Sequence, residues 1–361
     1  MKNETIKCLV IQEEKEQYKD FLQELWHECF QDPKGYEEFY FQEVYGKNQV
    51  YVIDDTAMLH RNPYNCCIKR KDSQMDYIVG VATAPSKRRN GAMKALLTKT
   101  LQDLYSRGDA FTFLMPAKAA YYQSFGFVSV SERQEQLLDM NVMYVHRENY
   151  EFIQYKDFEP MNRSIQLGLL QRTDNLLREH KVYLKHHMPY MSLLYKEKAC
   201  QGGDLIFCKG TLGKPKGFFA YAQYDGAIYV EQCVLGEDAE VMMQEFFANC
   251  FMKGVLQEQP IYYVSKLPYM VRITNVLHCM EWFTEECLAF LQKDHAYYIE
   301  DPWVPENSGV YRICDVDGRS KVLFDRNVAS NEYDEQYSME AFTRSLVNAM
   351  GEQAFFFAEI V

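Results

Sequence analysis

Residues 77–108 constrain the fold more than any other stretch of the chain. Tyr77 to Thr83 is rich in β-branched residues and reads as a strand, and Pro85, which has no amide hydrogen, ends it. A helix begins near Gly91, with Met93, Leu96, Leu97, Leu101 and Leu104 on one stripe, and closes at Arg107 and Gly108. A strand, a basic turn and a helix start therefore follow one another. Such a turn leaves backbone N–H groups unpaired and pointing outward, where they can hold a pyrophosphate, and the helix dipole adds roughly 0.3–1 kcal/mol. Gly91 has no Cβ, so phosphates can approach the backbone, and Arg88 and Arg89 supply charge. Asn90, Ala92, Met93 and Lys94 complete the cradle, and the strand backbone at Val81, Ala82 and Thr83 leads into it.

Exposed arginines also open many helices that bind nothing, so the weight falls on a second element downstream. Ala110 to Met115 reads as a strand, Pro116 breaks it, and Ala119 to Phe127 follows as a short helix running into a turn at Gly126. Together the two elements resemble the GNAT superfamily, in which Arg-x-x-Gly-x-(Gly/Ala) opens the CoA-binding helix and Tyr-x-x-x-Gly-Phe closes the domain. Met93 stands where the general motif has Gly or Ala. The narrower pattern Val-Ala-Thr-Ala-Pro-x-x-Arg-Arg-x-Gly, then Tyr-Tyr-x-x-Phe-Gly-Phe, resembles the enhanced intracellular survival (Eis) family, whose members carry a larger apolar residue there.

That resemblance implies an α+β chain of tandem GNAT-like domains, each a mixed central sheet flanked by helices, followed by a sterol-carrier-like α+β domain. The expected bounds are 1–147 for the catalytic domain, 148–267 for a second domain without a CoA site, and 268–361 for the terminal domain. It also implies acetyl-CoA as co-substrate, a homo-oligomer, Tyr122 as general acid toward the CoA sulfur, and a chain-end carboxylate, here that of Val361, acting in the first domain. The terminal run Phe355 to Val361 is apolar and is expected to be docked. A packed aromatic for Tyr122, and a tail strand held within its own domain, are the alternatives. Val81 to Thr83 is expected to carry a β-bulge whose backbone N–H polarises the thioester carbonyl.

Elsewhere the pattern is that of a meander. Asp204 to Lys209, Gly217 to Tyr224 and Ala227 to Leu235 are strand-like, and Asp225-Gly226 marks a two-residue hairpin. After Leu235 come Gly236, Glu237 and Asp238 ahead of a helical segment from Val241 to Phe247, and acidic residues there would repel a pyrophosphate. Tyr269 to Val276 and the strand approach Asn307 to Ile313 look like the terminal domain, which closes with a helix carrying Met339, Phe342, Leu346 and Met350 on one face and Gly351 as its stop.

The formal net charge of −12 disfavours a nucleic-acid partner and suits a cationic substrate. The 11 cysteines are scattered, with no C-x-x-C pair, and read as reduced thiols; no signal-peptide core or membrane span is evident, and a cytoplasmic location is expected. No metal-ligand spacing, Gly-x-Ser-x-Gly elbow or P-loop occurs, and His186-His187 are adjacent and face apart. Glu24, Glu28, Asp32, Glu37 and Glu38 make the first helices acidic, and Trp26, Tyr36, Phe39 and Tyr40 lie among them. Trp26, Tyr36 and Glu38 are the candidate walls of an amine pocket, with core packing as the other reading. The expected function is acetyl transfer from acetyl-CoA to a small cationic primary amine; a protein lysine as acceptor, or a carrier of an apolar ligand, are the alternatives.

Overall fold

The computed structural model describes residues 5–32, 35–140, 150–326 and 332–357. The chain opens with β1 (Ile6–Leu9), then the helix α1 (Gln12–Cys29), whose stripe of Leu22, Leu25 and Trp26 is buried, then the short α2 (Tyr36–Phe39). Three strands follow as an antiparallel meander: β2 (Gln49–Ile53), β3 (Ala57–Ile68) and β4 (Lys71–Thr83). The expected helix is α3 (Ala92–Arg107), opened by Gly91 at φ +85° and closed by Gly108 at φ +86°. β5 (Phe111–Leu114) then runs parallel to β4, and α4 (Ala120–Gln123) turns through Gly126 at φ +86° into β6 (Val128–Ser129).

The second unit repeats this plan. β7 (Gln134–Leu137), β8 (Glu151–Gln154), β10 (Asp204–Lys209), β11 (Pro215–Tyr224), β12 (Ala227–Val234) and β13 (Ile261–Lys266) form a six-stranded sheet in the order β7-β13-β12-β11-β10-β8. Asp225 and Gly226, both at positive φ, make the expected hairpin between β11 and β12. Before it lie α5 (Tyr155–Phe158), α6 (Arg163–Leu177), β9 (Val182–Leu184) and α7 (Met188–Cys200); after β12 comes α8 (Ala239–Met252), and β13 lies parallel to β12 as β5 does to β4.

The hydrogen bonding crosses the sequence bounds. β14 (Met270–Ile273), which reads in sequence as the start of the terminal domain, sits between β5 and β6 in the first sheet. In return β7, from the first stretch of chain, closes the second sheet against β13. The two units thus exchange a strand each. β9 also pairs with the far end of β3, and β19 (Phe355–Phe356) pairs with β9, giving nine strands in the first sheet among the described residues.

The remaining elements are α9 (Val276–Trp282), α10 (Thr284–Cys287), β15 (Tyr297–Glu300), β16 (Gly309–Val316), β17 (Arg319–Asp325), β18 (Glu335–Ser338) and the amphipathic α11 (Met339–Met350), which Gly351 stops as expected. Their four strands make a third sheet ordered β17-β16-β15-β18. This unit does not pack alone: Phe342, Leu346 and Tyr311 share one apolar core with Phe113, Phe127 and Leu97. Among the described residues no helix is long and apolar enough to cross a membrane.

Candidate active site

β4 and β5 are in register only at Tyr77–Phe113 and Ile78–Leu114. β5 then turns away at Pro116, while β4 runs on to Thr83, so its edge from Val79 lacks a parallel partner and the sheet opens as a V. Where it opens, β4 carries a bulge: Met58 faces Ala82 and His60 faces Val79, leaving Gly80 and Val81 opposite Leu59 alone. The bulge expected in Val81 to Thr83 therefore falls one residue early.

Glycine is required there. Gly80 has φ +58°, and a Cβ on it would sit 2.5 Å from the ring of Trp26. Trp26 is 1% exposed, stacks on Tyr40 at 4.5 Å and gives its indole N–H to Asp32 at 2.5 Å. It therefore buttresses the bulge. The sequence signal, an aromatic at helical spacing, is the same for a buttress and for a pocket wall.

The turn after β4 is exposed from Arg88 through Gly91, with Arg89 at φ +67° and Gly91 as helix N-cap. The first amide of this helix to find a backbone acceptor is that of Ala95, on Gly91. The amides of Ala92, Met93 and Lys94 have no protein acceptor among the described residues, and nothing lies within 4 Å of where a Gly91 Cβ would be. The cradle fits a pyrophosphate. Arg88 folds back, its Nε donating to the Thr83 carbonyl at 3.1 Å, while the Lys94 ammonium lies 4.9 Å from the centre of the Trp303 ring.

Tyr122 stands on α4, across the V from this turn. It is 6% exposed, packs edge-on against Phe127, and its hydroxyl makes no hydrogen bond among the described residues. Burial pushes its phenol up to about 12, so at rest it stays protonated. Tyr121 next to it is 55% exposed beneath Lys118. The exchanged strand anchors this helix: Arg272, fully buried, donates from Nε to the Phe125 carbonyl at 2.5 Å and from Nη2 to both oxygens of Asp301 at 2.8 Å. Trp303 adds a bond from Nε1 to the Ser124 carbonyl at 2.7 Å and lies 4.6 Å from Phe125. Neither Arg272 nor Trp303 is marked by any sequence motif.

On the face of the sheet covered by α1 and α2 lies a small cavity, lined by Tyr36, Tyr40, Asn62, Tyr64, Tyr190 and Glu197 among others. Tyr36 lines it. Glu38 does not: it is exposed and accepts from Gln42. Glu197 comes from α7 of the second unit and was not among the expected residues. It shares the ammonium of Lys198, at 2.5 Å, with Glu231 at 2.8 Å, and burial pushes its carboxyl up.

The chain end approaches from the same side. Phe357 is 7% exposed and stacks on Phe113 at 4.2 Å, one residue before β4 and β5 part, so the terminal aromatic run is docked as expected. Val361 itself lies outside the described residues. No group of three or more His, Cys, Asp or Glu side chains is arranged to hold a metal ion among the described residues.

Residues 11–130 match the family model of the acetyltransferase (GNAT) domain. Solved structures with a similar fold include a GCN5-related N-acetyltransferase from Anabaena variabilis, 16% identical, with a TM-score of 0.70 and covering 98% of this chain and 100% of its own. A protein from Enterococcus faecalis V583, described as of unknown function and a "Probable N-Acyltransferase", is also 16% identical, at a TM-score of 0.69 and 97% coverage of both chains. Eis1 from Mycobacterium abscessus is 13% identical, at a TM-score of 0.58, covering 94% of this chain and 88% of its own. At these identities the likeness is one of fold. No curated protein sequence matches the chain. The domain match makes this chain an acyltransferase with a GNAT acetyltransferase domain, and such domains use acetyl-CoA.

Proposed function

We propose that the chain transfers the acetyl group of acetyl-CoA to a primary amine of a small cationic acceptor, in one ternary complex, as an enzyme of the Eis type. The observation that carries this reading is the opened β4–β5 pair leading from the Gly80 bulge to the unpaired amides at Gly91. Acetyl-CoA then lies with its pyrophosphate on Ala92 to Lys94, flanked by Arg88, Arg89 and Asn90, and its thioester beside Val81 to Thr83. The amine attacks the carbonyl carbon; a backbone N–H of the bulge stabilises the oxyanion; the C–S bond breaks and the thiolate takes a proton.

Tyr122 is the donor of that proton. With its phenol near 12 against a free thiol near ~8.5, transfer is uphill by ~3.5 units, so it completes late, once full charge has reached the sulfur. The attacking amine must also lose a proton. We assign this to the Val361 carboxylate, acting through water, and the docking of Phe357 against Phe113 supports a chain end that reaches this region. A cavity walled by α7 of the second unit favours a small acceptor over a lysine on a protein surface. The four-stranded terminal unit is assigned to the sterol-carrier type, and the assembly to a homo-oligomer.

CoA release from acetyl-CoA across a panel of amines tests the reading. Turnover of small polyamines or aminosugars is expected; hydrolysis alone, or turnover only of lysine in proteins, overturns it. Extending the chain by a short tag after Val361 keeps every side chain and moves only the charge. It should remove most turnover with acetyl-CoA affinity retained, and full turnover with an unchanged pH profile would exclude Val361 as the base.

A further inference from the structure

The cavity on the α1–α2 face is walled by rings. Tyr36 comes from α2, Tyr40 from the turn after it, Tyr64 from β3 and Tyr190 from α7, and Glu197 stands about two α-helical turns further along α7. Aromatic faces attract an alkylammonium by their quadrupole while presenting apolar surface to its methylenes. Behind the rings the charges do not balance: Lys198 is fully buried between Glu197 and Glu231, so one ammonium meets two carboxylates. Tyr224 supplies a neutral hydrogen bond to Glu231 at 2.7 Å, and Glu231 lines the other cavity, beside Phe356 and Phe357, while Glu197 lines this one. Of the two carboxylates on Lys198, Glu197 is therefore the one that faces this cavity.

The cavity also lies at a definite distance from the chemistry. His60, Asn62 and Tyr64 alternate onto one face of β3, the face on which the His60 ring lies against Gly80 and Trp26. From the bulge at Gly80 to Asn62, which is opposite Tyr77, is three residues along β4, or roughly 10 Å at ~3.3 Å per residue.

We propose that this cavity holds the distal ammonium of the acceptor, with Glu197 as its counter-ion and the tyrosines as its walls, and that the acceptor is a linear alkyl di- or polyamine acetylated at its other end. The inference rests on the acetyltransferase reading above and narrows its substrate class. It also gives the second unit a share in the active site: α7 supplies the charge that selects the substrate, while the first unit supplies the acetyl group.

The test compares α,ω-diaminoalkanes of increasing length with monoalkylamines of equal carbon number. In the parent protein kcat/KM for the best diamine should exceed that of its monoamine at least tenfold, chiefly through KM. Glu197→Gln should collapse that ratio toward one while acetyl-CoA affinity by calorimetry holds. Tyr64→Leu, which leaves the ion cluster intact, should raise the diamine KM about tenfold, and it carries the test if Glu197→Gln melts early. Diamines and monoamines turned over alike, or an unchanged ratio in both variants, overturn the inference and leave the acetyltransferase reading standing. Absence of CoA release with every amine overturns both.

Discussion

In both large sheets a parallel strand pair parts company after a short registered stretch: β4 and β5 after Ile78, β12 and β13 after Val230. Both carry a bulge on the strand that leads to the following helix, at Gly80–Val81 in one and at Glu231 in the other, where Ala220 faces Gln232 and Tyr221 faces Val230. The equipment of the two clefts differs. In the first the bulge residue is a glycine, the turn beyond it is basic, and the helix start leaves its amides free. In the second the bulge residue is a carboxylate tied to Lys198, and the helix begins with Asp238 and Glu240. Phe356 and Phe357 from the chain end line what space remains, ≈ 290 Å³ with its mouth. The same backbone thus carries a basic turn with free amides in one unit and a seat for charge and for the tail in the other. A bulged, opened sheet is therefore not a cofactor site until its helix start permits an anion.

The comparison breaks most directly on stoichiometry. Gly91→Asp places bulk and negative charge in the first turn and should take acetyl-CoA binding from one equivalent to none detectable by calorimetry; two equivalents in the parent protein, or one surviving in the variant, would mean the clefts are not distinguished as described. Next in size is Tyr122→Phe, which should lower kcat by about 10²–10³-fold with little change in acetyl-CoA affinity, because the hydroxyl matters only as the sulfur gains charge. Tyr121→Phe, on the exposed neighbour, should leave turnover within a factor of two, and the opposite ranking of the two tyrosines would overturn the assignment.

The bulges can be compared by stability. Gly80→Ala forces a side chain into positive φ and against Trp26, and should cost about 3 kcal/mol in denaturant unfolding. A variant as stable as the parent would show that the bulge can relax, contrary to the contact described. The last effect concerns acid. His186, beside the second unit, is fully buried, neither ring nitrogen has a partner among the described residues, and burial holds its pKa down at about 3. The folded state therefore refuses a proton that the unfolded state accepts below ~6.5, so stability falls as pH falls from ~6.5 to ~3, by about 1.4 kcal/mol per unit. His186→Phe should flatten the slope of unfolding free energy against pH by that amount; an unchanged slope would place the imidazole in contact with water.

Much of this could be read from the residues because it is local. The strand to Thr83, the helix bounded by Gly91 and Gly108, the Asp225-Gly226 hairpin and the helix stopped by Gly351 depend on neighbours a few positions away. The strand exchange depends on partners far along the chain. Met270–Ile273 is four buried residues with no alternation, and such a run fits the interior of any sheet, so nothing in it names β5 and β6 as its neighbours. Glu197-Lys198 was illegible for a different reason: adjacent opposite charges on a helix ordinarily mark a solvated face, and here packing of α7 on the second sheet, against Glu231, buries them. Trp26 and Tyr36 carry the same sequence signal, yet one supports the bulge and the other lines the cavity, a difference set by the Gly80 backbone.

The exchanged strand also fixes an order of events during synthesis. β5 is complete at Leu114, but its neighbour β14 ends at Ile273, and Arg272 on that strand is what ties down the turn after Tyr122. At ~5–20 residues per second the nascent first sheet waits roughly 10–30 s with an unpaired edge. Through that interval the ribosome-bound chain has the basic turn from Arg88 to Gly91 but lacks the strand that ties down the helix of Tyr122. A ribosome stalled before Ile273 would display a helix start already formed and a Tyr122 segment not yet anchored.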